Sequence, residues 1–231
     1  MWQDVREELR PQGLEIVTIA LDVGGVAVAG KFIDKANARH PSLIDEQHLL
    51  DELYGVVNVP SGIWIDEQGT IVRPPEPAWP GKAVFREFIP KELPPDTDPW
   101  IVKALGLTKR IRHDPERYLA ALRDWVAKGA ESRYALTPDQ VVARSRPRPR
   151  ESAEAAAQFE LGQHLHRAGS VDDAVLHFRE AHRLEPDNWT YKRQAWTFAD
   201  PLQRPSDVYE GDWAGDVEKA GPENYYPPSD I

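Results

Sequence analysis

Tyr54-Gly55-Val56-Val57-Asn58-Val59-Pro60-Ser61-Gly62-Ile63-Trp64-Ile65-Asp66-Glu67-Gln68-Gly69-Thr70-Ile71-Val72 is the stretch on which the fold turns. Ser61 to Asp66 reads as an apolar strand. Glu67-Gln68-Gly69 reads as a turn whose glycine supplies a positive φ, and Thr70-Ile71-Val72 as the returning strand. Ahead of this β-hairpin stands the Val59-Pro60 pair. Behind it, after Arg73, the pattern changes to a proline-rich passage, residues 74–80.

Upstream, Leu14 to Leu21 is almost continuously apolar, as a central parallel strand covered on both faces would be. Asp22-Val23-Gly24-Gly25 breaks it. Residues 28–39 read as a helix with Phe32, Ile33 and Ala36 on one side. Ser42-Leu43-Ile44-Asp45 reads as a short strand. Residues 46–54 read as a helix with Leu49, Leu50 and Leu53 as its buried stripe. Residues 1–12 have the spacing of a helix's last turns, Trp2, Val5 and Leu9, closed by Pro11-Gln12-Gly13.

Downstream, residues 98–128 read as helical, with Tyr118, Leu119, Leu122, Trp125 and Val126 on one face. Residues 144–150 alternate Arg and Pro and form a linker: a solvated spacer, with phosphate binding as the alternative. Residues 151–168 and 171–184 form a helix pair. Gly169 caps the first helix, and Ser170 with Asp173 forms an imperfect capping box at the second. From Asp200 the chain is acidic, rich in Pro, Tyr and Trp, and reads as coil.

The composition sets limits on function. The 231 residues carry a net charge of −10, which argues against a general affinity for nucleic acid or anionic lipid. No stretch is long and apolar enough for a membrane span, and the first residues have no signal-peptide character, so a cytoplasmic location is expected. The 21 prolines imply compact pieces joined by stiff connections. Cysteine is absent, which rules out disulfides, thiolate metal sites and cysteine nucleophiles within these residues.

The order Tyr-Gly-Val turn, Val-Pro pair, apolar strand, Asp-x-x-Gly and returning strand over residues 54–72 resembles the second half of a thioredoxin-like redoxin. The nearest likeness is to the ResA/TlpA-like group. Helix, apolar strand, helix, short strand and helix precede it in the matching order, so the resemblance covers about residues 1–100. It implies an α/β fold, with a thioredoxin-like sheet lacking its N-terminal strand, over residues 1–97. It also implies a cis peptide at Val59-Pro60, the alternative being an ordinary trans turn. Val59, Pro60 and Ser61 would hold the backbone of an extended substrate, such as a disulfide-bearing protein or peptide. Asp22, at the end of the first strand, is the candidate proton shuttle; the alternative is a solvent-facing turn aspartate.

A redoxin carries its Trp-Cys-x-x-Cys segment at the start of a helix of which residues 1–12 match only the tail. Two explanations stay open. In one, Met1 is an internal methionine of a longer protein, whose active-site cysteine or selenocysteine lies upstream. A selenocysteine codon read as a stop would place the start at the next methionine. In the other, the chain is complete and the redoxin remnant is a scaffold. The expected function is accordingly that of a redoxin lacking its redox residue, with a non-enzymatic interaction module as the alternative. A sheet short of a strand has an open edge, which favours homodimerisation or aggregation.

Leu161, Gly162, Leu165, Ala174, Phe178, Ala181 and Pro186 fall at the spacing of the tetratricopeptide repeat, and residues 151–199 resemble one such unit of about 34 residues. In that resemblance small residues let two helices cross closely and Phe178 fills the gap. One repeat cannot bury its faces alone, so it must pack on neighbouring helices or on the redoxin part. The expected divisions are 1–97, a helical connector 98–143, the linker 144–150, the helices 151–199 and an acidic tail 200–231. The histidines, His164 and His166 on nearly opposite helix sides and His177 and His182 five apart, suit surface or packing roles. No metal and no cofactor is expected.

Overall fold

The computed structural model describes residues 1–81, 93–145 and 148–231. The first helix, α1, spans Trp2–Leu9 and runs into a 3-10 turn over Arg10–Gln12. Gly13 closes that turn at φ 102°, which a side chain would strain.

Strand β1 covers only Thr18–Leu21 and pairs in parallel with β2, Ser42–Asp45, setting Thr18 opposite Ser42 and Leu21 opposite Asp45. The expectation of a strand covered on both faces is corrected here. Val17 and Ile19 remain 52% and 38% exposed. Helix α2, Gly25–Ala36, starts earlier than its apolar spacing suggests. It buries Gly25 and Ala29 and leaves Phe32 outside.

Helix α3, Leu49–Tyr54, inverts the expected stripe. Asp51 faces inward, bound to His48 Nδ1 at 2.9 Å, while Leu49 and Leu53 are exposed. Residues two apart on a helix point about 200° apart, so turning Asp51 inward forces both leucines out.

The hairpin is present: β3, Ser61–Ile65, runs antiparallel to β4, Ile71–Pro77, with Gly69 at φ 79° in the turn. Strand β4 extends through three of the prolines read as irregular. A strand missing amide donors is tolerated at a sheet edge, and among the described residues β4 is one.

The region read as one helix over 98–128 is two. Helix α4, Pro99–Arg110, is capped by the Asp98 carboxylate, and α5, Pro115–Lys128, by that of Asp114. Helix α6, Pro138–Ser145, lies along β4, where Leu136 N–H donates to the Val72 carbonyl at 2.9 Å. Of the Arg/Pro linker, residues 146 and 147 lie outside the described residues. Its flanks are not free: Arg144 pairs with Asp230 and Arg148 with Glu52.

Helices α7, Arg150–Arg167, and α8, Val171–Leu184, form the expected pair, followed by α9, Trp189–Ala199. The Ser170 side chain makes no capping bond; its partner position holds Asp173 in place of the longer Glu or Gln of a capping box. The tail is not coil throughout. Helix α10, Trp213–Ala220, forms within it, and Tyr209, Val217, Tyr225 and Ile231 are buried.

Two cores result. One joins α4 and α7–α10 around Phe159, Phe178, Tyr191 and Trp196. The other joins α1, the hairpin and α5 around Leu9, Trp64, Tyr118 and Leu122, and ends on Ile231. Of the repeat-like positions, Gly162, Ala174, Phe178 and Ala181 are buried and Leu165 packs against the same core. Leu161, at 42% exposure, and Pro186 face solvent, so neither packs between the helices. Phe159 stacks on Tyr191 at 4.2 Å within the same core.

The protein is thus a mixed helix and sheet structure. Among the described residues its strands form two separate two-stranded sheets, β1–β2 and β3–β4. No helix among those residues is long and apolar enough to cross a membrane.

Candidate functional site

The turn between α3 and β3 is held by its own side chains. The Val59–Pro60 peptide is cis. Asn58, 2% exposed, accepts the Val59 N–H through Oδ1 at 2.9 Å and donates through Nδ2 to the Tyr225 carbonyl at 2.9 Å. Ser61 Oγ donates to the Asn58 carbonyl at 2.7 Å. The Pro60 carbonyl accepts Ala78 N–H at 3.2 Å, extending the hairpin by one bond.

The Val59 carbonyl accepts the Tyr226 hydroxyl at 2.9 Å. Burial pushes the Tyr226 phenol up, which keeps it protonated and donating. Both main-chain groups of Val59 are therefore engaged within the chain. This qualifies the expectation that the Val59-Pro60-Ser61 backbone stands open to a substrate. Nothing in the sequence pointed to Tyr226, which lies 167 residues away.

The turn opens onto a cavity of about 930 Å³ between the two sheets. Leu14 to Ile19, with Leu21, form one wall, and Val59 to Ile65 the other. Trp2, Trp64, Tyr118 and Trp125 line it, as do Trp79, Tyr225 and Tyr226. Trp64 stacks on Trp125 at 4.9 Å and donates Nε1–H to the Tyr118 hydroxyl at 3.1 Å. Burial pushes the Tyr118 phenol up to about 12, so it stays neutral. The lining is apolar apart from a few groups, Asp51 among them.

Asp51 belongs to a buried link between the two parts of the molecule. His48 holds Asp51 through Nδ1 and faces Gln194 Oε1 through Nε2 at 3.3 Å. Gln194 Oε1 also accepts the Val23 N–H at 3.4 Å. His48 sits at φ 55°, uncommon for a side chain, and its ring packs edge-on against Phe159 at 5.2 Å. This link was missed because its members are scattered along the chain.

Asp22 is not among the residues lining the cavity. Half-buried at the end of β1, it accepts the Gly24 N–H at 2.8 Å and shapes the turn into α2. The structure does not bring it to the Val59–Ser61 turn. His166 stacks on Phe198 at 3.8 Å, His177 bonds Gln158, and burial lowers His182 to about 4. Among the described residues no cluster of His, Asp or Glu is placed to hold a metal.

No protein-family model, no curated protein and no solved structure matches the chain.

Proposed function

We propose that this chain is the larger part of a thioredoxin-like redoxin. In this reading the two sheets are halves of one sheet, and the cavity between them is the place of a central strand. The single observation that carries the reading is that cavity. Among the described residues, strands β1 and β3 each have a strand partner on one side only, and the apolar space between the sheets is lined by both. Unpaired strand edges hold main-chain donors and acceptors at strand spacing, which one inserted strand satisfies on both sides.

The activity proposed is thiol–disulfide exchange or peroxide reduction through a cysteine or selenocysteine outside residues 1–231, since these contain no cysteine. Val59, Pro60 and Ser61 would position the backbone of a protein or peptide substrate. The test is turnover. The 231-residue polypeptide is expected to show no dithiol reductase activity, and a longer form carrying the redox residue is expected to show it. Turnover by the cysteine-free polypeptide would sink the reading.

A second reading, an interaction module with an inert redoxin scaffold, is favoured by one contact: the Tyr226 hydroxyl already holds the Val59 carbonyl. The DNA before Met1 separates the two. An open frame encoding a strand and a cysteine or selenocysteine codon supports the enzyme; a ribosome-binding site supports the module.

A further inference from the structure

We infer that residues 225–231 form an inhibitory strap, which occupies the Val59 backbone until an extended peptide displaces it. The inference rests on the reading of the Val59-Pro60-Ser61 turn as a backbone-binding site and adds its regulation. Extended peptides gain affinity by adding main-chain hydrogen bonds to an exposed strand edge. At Val59 the carbonyl needed for this already accepts from Tyr226, and Asn58, beside it, is tied to the Tyr225 carbonyl.

The strap is anchored at both ends and exposed between them. Tyr225 is buried, and its hydroxyl accepts Trp213 Nε1–H at 3.2 Å. Tyr226 packs edge-on against Trp79 at 5.8 Å. Asp230 pairs with Arg73 and with Arg144, and Ile231 is buried in the core beside the hairpin. Pro227 to Asp230 are exposed and have no regular secondary structure. Two of the anchors are replaceable: a neutral hydroxyl–carbonyl bond, and an Arg144–Asp230 pair open to solvent. A tethered segment of this kind holds its site by proximity rather than by strong contacts, and so yields to a ligand that makes more bonds.

The experiment uses the full chain, Tyr226→Phe and Asp230→Asn. The probe is a blocked, fluorescein-labelled hexapeptide of alternating threonine and valine. Tyr226→Phe removes only the hydroxyl and keeps the ring; Asp230→Asn weakens the far anchor. Chymotryptic cleavage after position 225 (Pro227 bars cleavage after 226) reports release of the strap, and fluorescence anisotropy reports peptide binding. Tyr226→Phe is expected to be cleaved several-fold faster and to bind the peptide about fivefold more tightly than the unaltered chain, the loss of one neutral hydrogen bond. Asp230→Asn moves both in the same direction by less. Equal affinity in all three, with the strap released, overturns the inhibitory role and leaves the peptide site standing. Release without peptide binding in any of them removes the site itself, and with it the strap's role. Unchanged cleavage in both variants shows that these contacts do not hold the strap, and overturns the inference.

Discussion

Gly162 and Phe178 pack so closely that a Cβ on Gly162 would stand 2.8 Å from the Phe178 ring. Gly162 lies on α7 and Phe178 on α8, so this contact sets how near the two helices approach. Gly162→Ala removes a glycine from a helix, a gain of about 1 kcal/mol, but forces a displacement of a fully buried ring, which costs roughly 1–3 kcal/mol. The clash outweighs the propensity. A net loss of about 1 kcal/mol in denaturant unfolding is expected, and an unchanged or raised midpoint contradicts the packing.

Arg73 and Asp230 share an ion pair, yet their substitutions are unequal. Arg73 is 2% exposed, pairs with Glu76 as well, and donates to the Tyr134 carbonyl at 2.7 Å. Removing it leaves the Glu76 carboxylate with the Ser229 hydroxyl but no cation and takes a donor from that carbonyl, so Arg73→Ala is expected to cost about 3 kcal/mol. Asp230 is half-exposed, and Asp230→Asn is expected to cost less than about 1 kcal/mol. Equal losses in chemical denaturation would contradict this burial asymmetry.

His182 makes stability depend on pH. Burial lowers its folded pKa to about 4 from the ordinary 6.5, with Lys192 adding to the effect and Asp216 opposing it. The folded state therefore favours neutral imidazole. The associated stability is fully present above about pH 6.5 and is lost as pH falls towards 4, up to about 3 kcal/mol. His182→Gln is expected to flatten the unfolding free energy over that window relative to the unaltered chain. An unchanged slope would show that other groups set it.

Val17, just before β1, and Ile19, on it, leave apolar side chains exposed beside the cavity and the strand's unpaired side. The 231-residue polypeptide is expected to associate as its concentration rises, and the double substitution Val17→Lys with Ile19→Lys to suppress this. Size-exclusion with light scattering reads the outcome. A monomer at all concentrations would mean that the edge is protected.

Local pattern made part of this fold legible. The hairpin, the Ser42–Asp45 strand, the Gly13 and Gly169 turns and the α7–α8 pair each follow from residues close in sequence. The inverted face of α3 does not, because it depends on His48 drawing Asp51 inward. Nor does the tail: apolar periodicity is weak there, yet Tyr225 and Ile231 find partners far up the chain. At the site, the Val59-Pro60-Ser61 turn was legible as a turn. The Tyr226 contact that occupies it was not, since no spacing links residues so far apart. The aromatic lining of the cavity was not legible, because it is drawn from α1, α3, β3, Trp79, α5 and the tail, which lie far apart in sequence.

The central claim is that a strand and a redox residue complete this structure from outside residues 1–231. Intact mass spectrometry of the native protein from its own cells tests it most directly. The account predicts a species several kilodaltons heavier than 26.1 kDa, with a cysteine or selenocysteine on the amino side of Met1. A mass matching Met1–Ile231 would contradict it and leave the chain a redox-inactive scaffold.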